Sequence, residues 1–407
     1  MDLPLGDGSV SVSLPSCSVD VARPPGGDAI DPRHAAASAM DKPHGPPLAG
    51  LVDSTDEVAI VVTDVTRDTP DEVLLDVLFD HLPVPRETVT IVVGLGLHRP
   101  MTDAELRDGL GEYADLAVNH EPDSVVSLGA VDGCPVAVHP AVADADVVLS
   151  TGMVEPHQYA GFSGGAKTVT IGAGSESIIR YTHGPEMLSR DGVRLGRVRG
   201  NPFRETLDRA GLIAGPDFCL NVTNGPDGFL GAAAGDPTSV VRSLAATARD
   251  ALSVSVETDY DAVVCGVGAP KDANLYQATR AATYVALGDR NPLENTDADD
   301  GGRLVVPAAL PEGAGDGSGE KRFFDAFSTA TDASSLYESM RAGYEPGAQR
   351  AFVVARVLRD HDVYVTNSAS PDVVESCLMS HRESPEDAIE PGGRVLVVPD
   401  ALSTLLV

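Results

Sequence analysis

The sequence predicts an α/β fold of two domains, each a mainly parallel sheet flanked by helices, with the active site in the interdomain cleft. Three observations lead there. At 407 residues the chain is too long for one ordinary hydrophobic core. Its apolar residues gather in short unbroken runs, such as VAIVV (58–62) and IVV (91–93), as strands buried on both faces do. Helical spacing returns between those runs, and strand–loop–helix alternation is the pattern of parallel sheets.

Taken in order, residues 1–50 alternate weakly at Ser9–Leu14 and then become rich in Pro, Gly and Asp, which reads as a short hairpin and a long connection. Val58–Asp64 is the first buried strand and Pro70–Asp80 a helix. Thr88–Gly94 is the second strand, followed by the loop GLHRPMT and a helix from Asp103. Thr102 is the expected N-cap, with Glu105 completing a capping box. Ala145–Ser150 is a third strand. Residues 200–255 read as mostly helical, interrupted at 224–235 (NGPDGFLGAAAG). The pattern restarts near Glu257, so the expected domains are 1–255, carrying cofactor and catalysis, and 256–407, a second α/β domain. In the latter, Tyr260–Gly268 is a strand, Ala273–Ala286 a helix and Gly302–Pro307 a strand. Glu312–Glu320 is an acidic, solvated, mobile loop. Arg350–Arg359 is an amphipathic helix, and Asp362–Thr366 and Gly393–Pro399 are strands.

A formal net charge of −32 argues against nucleic acid or an anionic membrane as partner. Only four of the 29 basic residues are lysines (Lys42, Lys167, Lys271, Lys321), and tryptophan is absent. Acidic excess with scarce lysine points to a halophile, where salt screens the self-repulsion of carboxylates. The five cysteines are scattered and form no CxxC pair, which supports neither a disulfide frame nor a zinc site. No basic, apolar leader opens the chain and no apolar run is long enough to span a bilayer, so a cytoplasmic protein is expected.

Reactive residues concentrate in Glu155–His183, EPHQYAGFSGGAKTVTIGAGSESIIRYTH. His157, Lys167 and His183 offer proton transfer, metal ligation and a nucleophilic amine. Gly161, Gly164 and Gly165 allow a close backbone approach. Gly161–Thr168 is one residue away from a phosphate-binding loop, with Ala166 where that motif has its second glycine. A nucleotide-binding, kinase-like protein is therefore one alternative. The other strand-end loops carry Asp64, Thr66 and Arg67 (DVTR), His98 and Arg99, and, in the second domain, Lys271, Tyr276, Gln277 and Arg280. Such loops are where ligands bind in parallel sheets.

The motifs DVTR, GLHRPMT, EPHxxAGFSGGAK, THG and KDxNLYQ occur in this order, with ten residues from His157 to Lys167 and sixteen from Lys167 to His183. In this the chain resembles the nickel-dependent lactate racemase family over nearly its whole length, from about residue 5 to 400. The resemblance implies a nickel-pincer nucleotide, a pyridinium-3-thioamide-5-thiocarboxylic acid mononucleotide carrying nickel, loaded by cofactor-synthesis enzymes. Lys167 would tether it through a thioamide and His183 would ligate the nickel. Asp64, Thr66, Gly164, Gly165 and Tyr276 would contact the cofactor. His98 and His157 would be acid/base residues on opposite faces of a small 2-hydroxy acid. Arg67, Gln277 and Arg280 would hold that substrate. The implied reaction removes the α-hydrogen as hydride and returns it to either face of a 2-keto acid. Two departures bear on the substrate: Arg280 stands where the family commonly has lysine, and Gln349 where its lactate-active members have tryptophan. Lactate is the default substrate, and malate or a sugar acid the alternative.

Overall fold

The computed structural model describes residues 1–296 and 301–407. The chain forms two compact units, Gly26–His183 with Arg190–Ala251, and Met1–Pro25 with Gly184–Ser189 and Leu252–Val407.

The larger unit is built on a six-stranded sheet. Its order is Gly228–Gly235, Phe218–Gly225, Val147–Met153, Val58–Thr63, Val89–Gly94, Ala117–Asn119. All neighbours are parallel except the first pair. Both faces are covered, which is why these strands read as unbroken apolar runs. On one face Ile60, Val62, Ile91 and Val93 pack on Leu74, Leu75 and Leu78 of the helix Asp71–Phe79 and on Leu106 and Leu110 of Asp103–Leu110. On the other, Ala59, Val61 and Val92 meet Val142, Val169, Ala210 and Ala214. From its central strand the chain winds outward one way and then crosses to Val147–Met153 on the other side. The carboxyl ends of three strands therefore flank a reversal of winding, where parallel sheets offer a crevice. The expected capping box at Thr102 and Glu105 is present.

The second unit has an all-parallel six-stranded sheet, ordered Ser380–Arg382, Asp362–Thr366, Arg303–Pro307, Ala262–Cys265, Arg394–Val398, Ser18–Val21. The helix Leu275–Ala286 follows its central strand.

Three expectations need correction. Residues 1–25 group with the second unit, because Ser18–Val21 pairs with Arg394–Val398. All four of its residues are exposed, and the alternation SVDV is too short to mark a strand by itself. The stretch read as an interrupted helix contains the strands Phe218–Gly225 and Gly228–Gly235, joined in an antiparallel hairpin. Its Gly- and Ala-rich second strand has no intrinsic strand signal and is held by pairing. Finally, the acidic loop ends at a helix, Ser318–Ser328, whose Glu320 accepts from Gly317 N at 2.6 Å. Glu312 and Glu320 both accept from Asn274 Nδ2, so these carboxylates brace the second unit rather than only facing water. Among the described residues no helix is long and apolar enough to cross a membrane.

Candidate active site

Asp64 follows the central strand of the larger unit and is buried. Its Oδ1 accepts from Thr66 N at 3.1 Å and Thr66 Oγ1 at 2.5 Å, and its Oδ2 lies 2.6 Å from His98 Nδ1. Burial pushes its pKa up, but the bonds with His98 and Thr66 outweigh this and leave the carboxyl below its usual range. An ionised Asp64 selects the tautomer of a neutral His98 ring: the proton on Nδ1 and the lone pair on Nε2. His98 is mostly exposed while Asp64 is not, so the carboxylate orients a ring that faces outward.

The loop after Val147–Met153 folds on itself, with Pro156–His157 pairing antiparallel to Gly161–Phe162. His157 Nδ1 accepts from Tyr159 N at 3.2 Å and Ala160 N at 3.1 Å. Its neutral ring therefore carries its proton on Nε2, the opposite tautomer to His98. Glu155 forms an ion pair with Arg67, so a protein carboxylate already holds one nitrogen of that guanidinium.

The glycines have an internal reason for being glycine. Gly164 (φ 79°) and Gly165 (φ 59°) occupy the left-handed region, and a methyl on either would overlap Val154 or Val241. Gly165 N donates to Asn221 Oδ1 at 2.9 Å, so that N–H already serves the protein. After Lys167 comes a single π-helical segment, Thr168–Gly172, rather than the α-helix a phosphate loop opens. Such π segments recur at functional sites.

Lys167 keeps part of its surface accessible, but its amine is crowded by protein. Desolvation, then the positive charges of Arg67 and Arg204, bring its pKa down to about 7, against smaller opposing effects of Glu155 and Asp64. The lowered pKa makes the unprotonated, nucleophilic amine far more accessible at neutral pH than in an ordinary lysine. His183 ends the helix Glu176–Thr182 and is buried. Burial and the neighbouring Lys167 push its pKa down to about 3, so the ring is neutral. Its Nδ1 is 3.2 Å from Ile179 O and 3.0 Å from Thr182 Oγ1. A proton on Nδ1 satisfies that carbonyl and leaves Nε2 with a lone pair, the arrangement of a metal-ligating histidine with its orienting partner.

Several contributors lie beyond the sequence motifs. Phe203 is buried with ring centroids 5.0 Å from His183, 5.9 Å from Tyr159 and 6.3 Å from His157. Arg204, 1% exposed, donates to the carbonyls of Phe162 and Gly164 and pairs with Asp208, clamping the glycine loop from behind. Both residues open the helix Pro202–Ala214, capped by Asn201, whose Nδ2 reaches Tyr159 O at 2.7 Å. Asn201-Pro202 is a legible helix start; nothing local says that the next two side chains serve a loop 40 residues earlier.

In this unit the structure thus brings together Asp64, Thr66, Arg67, His98, His157, Lys167 and His183. Among the described residues no three His, Cys, Asp or Glu side chains group to hold a metal ion by themselves. A metal that brings most of its own ligands and takes one histidine fits this donor set.

The remaining expected residues belong to the second unit. Asn274 caps the helix Leu275–Ala286 and accepts from Gln277 N at 3.0 Å. Arg280 donates to Tyr284 OH at 2.8 Å. Tyr276 lies under the guanidinium of Arg350, 4.5 Å from Cζ to ring centroid. That stacking is worth roughly 0.5–2 kcal/mol. Each buried donor left unmatched costs about 1–3 kcal/mol.

Comparison with known proteins agrees with the motifs. Residues 5–196 match the lactate racemase N-terminal domain. Lactate racemase of Lactiplantibacillus plantarum is 27% identical over 393 residues, covering 90% of this chain and 89% of that one. Lactate racemase of Thermoanaerobacterium thermosaccharolyticum is 24% identical over 390 residues, with the same coverages. In sequence the chain is similar to lactate racemases, over residues 5–196 to the family's N-terminal domain and over nine-tenths of its length to the two relatives. The fold agrees as well. The lactate racemase apoprotein structure from T. thermosaccharolyticum superposes with a TM-score of 0.86 at 22% identity, covering 100% of this chain and 99% of that one. A crystal structure of a Thermotoga maritima protein superposes with a TM-score of 0.66 at 16% identity, covering 94% and 99%. The mixed α/β architecture with mainly parallel sheets is therefore that of lactate racemases.

Proposed function

We propose that this chain is a member of the lactate racemase family that racemises or epimerises a short 2-hydroxy acid, with lactate the default substrate, using a nickel-pincer nucleotide. The carrying observation is the buried neighbourhood of Lys167, whose amine is crowded by Arg67 and Arg204 and held below the ordinary lysine range, beside His183, whose Nδ1 is tied to Ile179 O. The amine is prepared to form a covalent amide-type link, and the imidazole to donate Nε2 to one metal position. When bound, the cofactor supplies a reversible hydride acceptor.

The protein's own residues do the rest. Asp64 and Thr66, with the Gly164 backbone, hold cofactor ribose and phosphate, while Gly165, its N–H taken by Asn221, gives the close backbone approach. His98 takes or returns the hydroxyl proton on one face of the substrate and His157 on the other. Arg67 exchanges Glu155 for the substrate carboxylate. For Tyr276, Gln277 and Arg280 the reading rests on the KDANLYQ motif alone. Cofactor-synthesis enzymes are the partners for loading, in the cytoplasm. The acidic, lysine-poor composition suits a salt-rich solvent.

The test is intact-mass analysis of protein produced beside the cofactor-synthesis enzymes, with chiral assay of racemisation. Wild type should carry an adduct mapped to Lys167 and racemise a 2-hydroxy acid. Lys167→Arg should lose both. An active Lys167→Arg protein overturns the tether, and an active wild type without an adduct overturns the cofactor.

A further inference from the structure

Asn201, Phe203 and Arg204 stand at the start of the helix Pro202–Ala214, and none is more than 1% exposed. Asn201 Nδ2 donates to Tyr159 O, and Arg204 Nη1 to the carbonyls of Phe162 and Gly164, so this helix start is fastened to the histidine and glycine loop. Phe203, fixed between those two residues, offers only its ring. That ring lies 5.0 Å from the imidazole of His183 at an interplanar angle of 81°. Tyr159 lies 5.6 Å from the same imidazole at 86°. Two rings nearly perpendicular to it therefore flank His183, in the edge-to-face arrangement that aromatic quadrupoles favour. Polar anchoring of this imidazole acts at one atom only. Ile179 O and Thr182 Oγ1 lie 3.2 and 3.0 Å from Nδ1, and the Thr182 hydroxyl itself donates to Ile178 O at 2.7 Å. A proton shared between two acceptors at one ring atom sets the tautomer but holds the ring plane loosely. The same two aromatic rings also touch His157, Tyr159 at 5.7 Å and Phe203 at 6.3 Å. All of these residues belong to the larger unit.

We propose that Phe203 is a positioning residue for the metal: with Tyr159 it sets the plane in which His183 presents Nε2, and it keeps His157 packed against the same rings. This rests on the proposed function, in which His183 takes one metal position and His157 moves a proton. Residues behind a metal-ligating histidine ordinarily orient it by accepting from its other nitrogen. Here packing adds what the shared Nδ1 proton leaves loose.

The experiment has two readouts. Nitrogen-15 NMR of the unloaded full chain, labelled in histidine, follows the His183 ring. Wild type should give one set of sharp ring signals with Nδ1 protonated. In Phe203→Leu those signals should broaden or split, while those of His120, a buried histidine of the same unit whose ring neighbour is His139, stay as they were. Nickel release to a chelator is then timed on protein produced beside the cofactor-synthesis enzymes. Phe203→Leu should keep the Lys167 adduct but release nickel about 10–100-fold faster, the usual range for loss of a residue behind a metal ligand. Phe218 is equally buried but packs on the sheet face away from the helix Pro202–Ala214, and Phe218→Leu should release nickel at the wild-type rate. A wild-type His183 ring that already samples several orientations overturns the proposal, whatever the variants do. So does a folded Phe203→Leu protein with sharp His183 signals, or one that releases nickel no faster than Phe218→Leu. If Phe203→Leu does not fold, Tyr159→Leu takes its place with the same expectations. If wild type carries no nickel, the proposed function fails, and the NMR comparison judges the positioning role by itself.

Discussion

His98 and His157 show how two identical side chains are given different starting states. Asp64 accepts from His98 Nδ1, whereas two backbone N–H groups donate to His157 Nδ1. His98 therefore starts with the lone pair of a base on Nε2, and His157 starts with a proton there. Under the proposed function each serves one enantiomer. His98→Ala should slow single-turnover keto acid formation from one enantiomer by about 10²–10⁴-fold and spare the other, with the reverse for His157→Ala. Equal loss of both half-reactions in both variants sinks the two-base assignment. The wild type should also oxidise the His98-served enantiomer faster. Asp71 yields a pH prediction. It sits in the first turn of its helix and accepts from Thr151 and Thr63, all of which favour the anion, yet complete burial wins and raises its pKa to about 7. A raised acid keeps a proton when folded that the unfolded chain has released. Its contribution to stability is thus full below about pH 4 and lost as pH rises through 7, by at most about 4 kcal/mol. The Tm of Asp71→Asn minus that of wild type should rise between pH 5 and 8; a flat difference refutes the shift.

At the scale of elements, the buried strands and the loops that carry DVTR, GLHRPMT and EPHxxAGFSGGAK were legible, because unbroken apolar runs and dense reactive loops are local signals. What supports them was not. The Asp132-Gly133 pair, both residues at positive φ, marks the hairpin of Val126–Val131 and Cys134–Val138, a signal present but not used. Phe203 and Arg204 carry no signal at all, since their roles arise from contacts with a loop some 40 residues earlier. The glycines were legible as special but for a partly different reason: the loop needs them against its own protein neighbours. Gly161 (φ 75°) has the Arg197 carbonyl where a methyl would go, while Gly133 (φ 81°) has open space. Gly133→Ala should cost about 1 kcal/mol for its backbone alone. Gly161→Ala should cost distinctly more, by about 2 kcal/mol or above, and chemical denaturation of the two variants compares them directly. Equal losses mean the loop yields and the close packing is not a constraint.

For the molecule as a whole, charge is the dominant feature. Surface pairs such as Arg99–Glu105 and Arg180–Glu176 contribute little to stability and weaken in salt. Repulsion within a net charge of −32 also weakens in salt, and screening contracts from roughly 10 Å at 0.1 M to 3 Å at 1 M. The second effect should prevail, so Tm should rise from 0.1 to 2 M KCl; a Tm that falls over this range contradicts the halophilic reading.

The interleaving of the two units has a consequence for inheritance. Segments 1–25, 184–189 and 252–407 make one unit, so the chain changes unit four times, once directly after His183. No single breakpoint in the gene separates them. Recombination between relatives that exchanged only the stretch after residue 251 would leave Arg394–Val398 from one parent paired with Ser18–Val21 from the other. A chimaera meant to swap the second unit has to move three pieces of coding sequence together.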